Sequence, residues 1–276
     1  QTENASLEAH GDNKGGPFLR ELSAVYTAAT LEAVEHLGGS SAAPVGINES
    51  LSLTNYLICV IEEAVKTSSA TIARTAAVAV DVATGDVLHA MHTHDSSQGG
   101  SITNNNLESM LLCLAPTEVI LVGELSPQTQ RMLDFFTMSN SAHRGKAHVE
   151  RVPYSSVHGQ SVAIVTQTMA ELSSKSDSSS DHDSTNSINE ILQLPDLVIS
   201  GLAACIRYLE QFKLQSIVQL GRIRSFENTT RMTLTPNTLR QLEILQNSVD
   251  NSTKGSLFQL MNATSTAFGA RLMREW

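Results

Sequence analysis

Three groupings of side chains in this 276-residue sequence have the residue types that chemistry needs. The first is His89-x-x-His92-x-His94-Asp95, imidazoles beside a carboxylate, which is the donor set of a transition-metal site. On an extended strand His92 and His94 share a face while His89 points away, and no cysteine or further acid stands at ligand spacing. Strand-end histidines are the reading, not a metal centre. The second is Asp81 with Glu108 and Asp134, carboxylates of the kind that hold two metal ions for nucleic-acid cleavage. Asp81 and Asp86 flank a Thr84-Gly85 turn, however, where aspartate is favoured because its side chain bonds its own backbone. Turn chemistry is expected of them. The third is Ser155, Ser156 and His158, a nucleophile-and-base pairing without a glycine elbow or an orienting acid. No catalytic residue, metal ligand or cofactor-binding residue is assigned in the chain.

Charge is distributed unevenly. Residues 1–200 carry 9 Lys/Arg against 23 Asp/Glu, a net of −14, whereas residues 201–276 carry 9 against 5, a net of +4. The acidic part is a poor phosphate binder, since it must overcome repulsion before releasing any counterion, and it suits protein contacts better. Candidate DNA-facing cations are therefore Arg222, Arg224, Arg231, Arg240, Lys254, Arg271 and Arg274, although basic residues scattered over helix surfaces commonly solubilise or pair within the protein. Cys59, Cys113 and Cys205 are odd in number, far apart in sequence and embedded in apolar runs, so they are expected as reduced core residues. No signal peptide opens the sequence, and no apolar run approaches the roughly 18 residues of a membrane span.

The elements that must position these groups follow from the patterning. Residues 1–16 are polar and aperiodic, which predicts a linker. Residues 53–62 and 73–82 are β-branched, apolar runs, and the Thr84-Gly85-Asp86 turn before residues 87–92 signals a hairpin, so three strands meander. Thereafter a helix over 107–114, a buried strand over 118–122, a helix over 126–136 with Pro127 in its first turn, and a strand over 149–153 alternate as in an α/β layer. Residues 173–190 are almost wholly Ser, Asp, Thr, His, Asn and Lys and predict a disordered linker. Apolar residues from Leu194 to Leu214 recur at helical spacing, residues 226–234 alternate as a short strand, and Thr235-Pro236 is an N-cap with a first-turn proline. That helix, with Leu239, Leu242 and Leu245 on one stripe, is expected to run to about Asn247. A polar turn, a second short helix capped by Ser256 that packs on the first as a hairpin, and a third helix carrying Phe268, Leu272 and Trp276 complete the reading.

The C-terminal pattern Thr235-Pro236-Asn237-Thr238-Leu239-Arg240-Gln241-Leu242-Glu243-Ile244-Leu245-Gln246-Asn247, with Lys254-Gly255-Ser256-Leu257 and Phe268-Gly269-Ala270-Arg271, resembles the MutS family of DNA mismatch-repair proteins where the lever (core) domain enters its long helices. Ala24-Val25-Tyr26-Thr27 and the Val80–Val87 and Leu107–Leu121 motifs are similar to the connector domain, with Ser109 departing from a usual leucine neighbourhood. The resemblance implies a ribonuclease-H-like α/β connector over 17–172, the linker over 173–190, and the mainly helical start of the lever over 191–276, where Ala203-Ala204-Cys205-Ile206-Arg207-Tyr208-Leu209 is similar to the first lever helix.

It further implies a segment of a larger nuclear protein, resembling the eukaryotic subunit that recognises large insertion/deletion loops. Such a protein works as a heterodimer with a second MutS homologue, engages a MutL-type partner through the connector, and binds ATP with magnesium. The ATP site is expected elsewhere, because this sequence holds no Gly-x-x-x-x-Gly-Lys-Ser/Thr cradle, so no enzymatic activity is expected of the segment itself. The alternatives are the sibling subunit that recognises single mismatches, and an acidic protein-interaction module with no DNA role.

Overall fold

The computed structural model describes residues 2–4, 20–22, 56–66, 71–95, 105–144, 147–173, 191–219, 222–226, 234–249 and 251–275. Strand β1 (Thr2–Asn4), inside the stretch expected to be a linker, pairs antiparallel with β2 (Arg20–Leu22), beyond it. The linker expected over 173–190 lies outside the described residues apart from Ser173, which ends a helix.

The body is built on β3 (Tyr56–Lys66), β4 (Thr71–Asp81) and β5 (Val87–Asp95), the expected meander. Antiparallel registers set Tyr56 opposite Asp81 and Val80 opposite Val87. The turn between β4 and β5 closes because Asp81 accepts the Gly85 N–H through its carbonyl (2.7 Å) and the Ala83 N–H through its carboxylate (2.9 Å). Gly85 takes φ +81°, a conformation that costs any residue with a Cβ.

After α1 (Asn105–Leu114), β6 (Glu118–Val122) lies parallel to β3; after α2 (Pro127–Arg144), β7 (His148–Val152) lies parallel to β6. The six-stranded order is β7-β6-β3-β4-β5-β8, with β8 (Ile223–Ser225) parallel to β5. The central strands are covered on both faces, so they are apolar throughout instead of alternating. Leu57, Cys59 and Ile61 of β3, with Val78 and Val80 of β4, turn to one face; Ile58, Val60, Ala77 and Ala79 turn to the other. Helices α3 (Ser161–Ser173) and α4 (Asp196–Gln211) cover the first face, and α1 and α2 the second. The result is a three-layer α/β/α body.

Helix α4 follows the boundary expected at residue 191 and packs on the sheet. Twelve of its residues, from Leu197 to Leu209, are buried, and they share one core with β3, β4 and β6. A helix apolar on so many sides sits against a core. The neighbouring strand is β8 at 223–225, ahead of the expected 226–234, of which residues 227–233 lie outside the described residues. Both elements belong to the sheet body.

Beyond it come α5 (Pro236–Gln241), α6 (Leu257–Met261) and α7 (Ala267–Glu275). Thr235 and Ser256 cap α5 and α6 as expected, each accepting a backbone N–H three residues on. Helix α5, however, stops at Gln241, short of Asn247. Glu243 takes φ +48°, the Ile244 N–H returns to the Leu239 carbonyl (3.1 Å), and the Glu243 carboxylate receives the Ser248 N–H (2.8 Å) and hydroxyl. The leucine stripe was a sound helical signal, but this local closure competes with continuing the helix. The expected hairpin of two packed helices is replaced by backbone bonds from Leu257 to Glu243 (3.1 Å) and from Phe258 to Ile244 (2.8 Å).

Candidate functional site

The basic residues separate once their partners are known. Arg224 ion-pairs with Asp86 (2.8 Å), and the same carboxylate accepts the Arg222 N–H (2.9 Å), so this aspartate ties β8 to the β4–β5 turn. Arg240 pairs with Glu108 of α1 (2.6 Å) while its guanidinium sits 5.6 Å from the ring centre of Phe135 on α2. Arg274 of α7 is 7% exposed, and it donates from Nε to the Cys113 carbonyl (2.8 Å) and from Nη2 to the Leu112 carbonyl (3.0 Å). Three of the seven candidate DNA-facing cations thus hold the protein together. The Arg222 side chain and Lys254 are exposed, Arg231 lies outside the described residues, and Arg271 is placed only as part of α7.

These contacts define a seam between the sheet body and the C-terminal helices. Helix α1 is gripped at both ends. Near its start Glu108 receives Arg240 and Ser109 donates to the Leu234 carbonyl (3.3 Å); at its end, where the last turn has no basic residue of its own, Arg274 satisfies two carbonyls. Between the grips lies a cavity of about 260 Å³ walled by Leu111, Phe135 and Phe136 on one side and Leu239 and Leu245 on the other. Sequence reasoning missed the seam because it weighed Glu108 only as an unfavoured metal ligand and left Arg240 among scattered cations without naming a partner. A carboxylate and a guanidinium far apart in sequence carry no sign of their pairing; the Ser109 departure was the nearest to a signal.

The other chemical groupings resolve into structure. Asp81 is spent in its turn, Glu108 in the seam, and Asp134 accepts Gln130 Nε2 (2.8 Å) one turn away on α2. No group of three metal-capable side chains exists among the described residues. His89, His92 and His94 stand opposite Val78, Thr75 and Ala73 respectively, so the first is out of phase with the others. His158 stacks on Tyr154 with ring centres 4.7 Å apart, and the Ser156 hydroxyl donates to the Pro153 carbonyl (2.7 Å); neither assembles a nucleophile and base. Arg207 of α4 holds that loop by donating to the Ser156 carbonyl and to Gln160 (3.0 Å). Tyr154 is raised by burial and by the neighbouring Glu63 charge, which Arg74 opposes.

All three cysteines are free, and Cys59 and Cys205 are fully buried on facing elements. The Cys59 thiol is pushed well up, first by its hydrogen bond with Cys205 and then by burial; Cys113 is raised by burial against the opposing charge of Arg274. Cys59 and Cys205 are thus core residues as expected, whereas Cys113 is only partly buried. No helix among the described residues is long and apolar enough to cross a membrane.

Residues 237–276 match the family model described as MutS domain III. The chain is 34% identical over 297 residues to "DNA mismatch repair protein MSH3" of Arabidopsis thaliana, covering 100% of this chain and 26% of the relative. It is 34% identical over 281 residues to the msh3 protein of Emericella nidulans and 32% identical to that of Aspergillus oryzae, covering 100% of this chain and 24% and 25% of those relatives. The chain therefore spans about a quarter of the length of these curated relatives. The domain III match begins just beyond the last strand of the sheet body, at the seam.

Proposed function

Because this chain belongs to the MutS family of DNA mismatch-repair proteins, we propose that it is the connector and the start of the lever in a subunit that recognises insertion/deletion loops. The strand order supports a ribonuclease-H-like body: an antiparallel meander of three strands whose first member is extended by two parallel strands. The connector proposed here runs through β8 to about residue 226, and the lever begins near Thr235.

The observation that carries the reading is the two-point grip on α1. A relay between a DNA-binding end and a distant nucleotide site needs rigid parts joined by contacts that hold in one arrangement and release in another. Arg240 and Arg274 supply such contacts between the sheet body and the stretch matching MutS domain III. In this reading the segment transmits movement and neither reads the mismatch nor hydrolyses nucleotide. ATP and magnesium are assigned to another part of the full-length protein, since the phosphate cradle they need is absent from this sequence. The working unit is a nuclear heterodimer with a second MutS homologue, and the acidic balance of residues 1–200 favours the body as the face for a MutL-type partner.

The test is co-purification of the full-length protein with its MutS-homologue partner, followed by salt-dependent binding to duplexes carrying a several-nucleotide loop, a single mismatch or neither. Preference for the loop is expected. Preference for the single mismatch moves the chain to the sibling subunit, and no heterodimer with no DNA preference leaves an acidic interaction module.

A further inference from the structure

Among the described residues, β7 is one edge of the six-stranded sheet. Two bonds fix how it uses its backbone: the His148 N–H donates to the Thr117 carbonyl (3.0 Å), and the Gly123 N–H donates to the Val152 carbonyl (2.8 Å). In a parallel ladder with this register, residues 148, 150 and 152 bond β6, so Val149 and Arg151 turn both N–H and C=O away from the sheet. Their side chains lie on the α2 side, in register with Val119 and Leu121. There an open groove of about 710 Å³ runs between β7 and α2, floored by Leu121, Leu133 and Val149.

The groove carries a charge pattern of its own. Arg151 is exposed on the strand and reaches Gln130 Oε1 (3.2 Å), while Gln130 reaches Asp134 on α2 (2.8 Å). The chain of bonds leaves the outer side of the Arg151 guanidinium, with five donors in all, available to an acceptor. His148 is exposed on the same strand. Asp134 stands on the opposite, α2 wall.

We propose that this edge receives an extended segment of a partner protein as a seventh strand, with alternate apolar side chains seated in the groove and an acidic residue beside Arg151. Main-chain bonds to Val149 and Arg151 would supply affinity, and the groove and Arg151 the selectivity, which is how strand addition divides the two. Helix α2 covers one side only, so the added strand would have an apolar face and a wet face. The inference rests on reading the α/β body as the protein-facing part of the chain, and it names the chemistry of what that part takes.

The probe is a synthetic nine-residue peptide of alternating valine and threonine with one central glutamate, titrated into the full-length protein and followed by amide exchange and by fluorescence anisotropy. Protection of the Val149 and Arg151 amides is expected. Val149→Pro removes one outward donor without touching the bonds to β6 and should abolish binding; Arg151→Glu should weaken binding about fivefold, with recovery when the peptide glutamate becomes lysine. Circular dichroism confirms that each variant is folded, and if Val149→Pro does not fold, the charge swap decides alone. Protection elsewhere, equal binding by the variants, or no binding at all overturns the proposal. If the protein still forms its heterodimer and selects looped DNA in that case, the strand-addition inference fails by itself while the repair reading stands.

Discussion

At the scale of single residues, the chain uses its charged groups to finish backbone that would otherwise be unsatisfied. Arg274 is the clearest case, because a buried guanidinium ends α1 by taking two carbonyls that have no partner inside the helix. Arg274→Met keeps the apolar stem and removes both donors, and urea unfolding should show a loss of about 1–3 kcal/mol; a loss under about 0.5 kcal/mol would mean that water replaces the cap without cost. Glu243 gives a pH-dependent counterpart. The hydroxyl and N–H of Ser248 both donate to its carboxylate and hold its pKa below the ordinary glutamate range. A lowered carboxylate pKa contributes stability that is present above the unfolded value and is lost as pH falls through the folded one. The Ser248 amide resonance should therefore shift at a midpoint below that of a free glutamate, and Glu243→Gln should flatten the shift while keeping an acceptor in place. A midpoint in the ordinary range would show that the turn does not favour the charged form. Neither residue was legible as a partner in the sequence, since a side chain's type says what it can bond and nothing about which carbonyl or hydroxyl the fold brings to it.

At the scale of elements, close approach between α4 and the sheet sets what each position tolerates. Gly201 lies where a Cβ would come within 2.9 Å of Val78 Cγ2 and 3.7 Å of Ile61 Cγ2. Gly201→Ala should cost about 1–3 kcal/mol by overpacking, and combining it with Val78→Ala should cost about 1 kcal/mol less than the sum, because the second change opens the space the first one needs. Strict additivity in urea unfolding would show that the helix simply shifts outward. The elements themselves were largely readable. The strand at 118–122 was placed to the residue, and the meander, α1 and β7 were found with ends off by a few positions, whereas α2 runs eight residues past its expected end at 136, since period and turn chemistry are local signals. What escaped was ownership: Leu194 to Leu214 reads as a helix in any setting, but only the sheet shows which layer buries it. The end of α5 escaped for a similar reason, as Leu242 and Leu245 continue the stripe in sequence although the helix has ended at Gln241 and the backbone turns at Glu243.

At the scale of the whole molecule, the question is where the sheet body ends, and the answer decides how any movement of the C-terminal stretch is passed on. If α4 belonged to a lever, the body would be complete before it and would fold without it. The packing argues for the opposite outcome: Leu197, Ile199, Leu202, Ile206 and Leu209 are buried in one core with β3, β4 and β6. At about 1.5–3 kcal/mol for each large apolar side chain removed from water, their loss is on the order of 10 kcal/mol, as much as the whole stability of an ordinary domain. Strand β8 adds a second tie, through its ladder with β5 and the Arg224–Asp86 pair. A chain ending at residue 190 should therefore fail to unfold cooperatively and should bind a hydrophobic dye, whereas one ending at Phe226 should keep a cooperative transition, having lost only the seam with α5 and α7. The comparison is made by thermal circular dichroism on both truncations beside the 276-residue chain. Cooperative unfolding of the chain ending at 190 would restore the boundary the sequence suggested and make α4 a separable part of the lever. The expected result instead keeps α4 and β8 with the sheet body, which Arg240 and Arg274 join to the domain III stretch at α1.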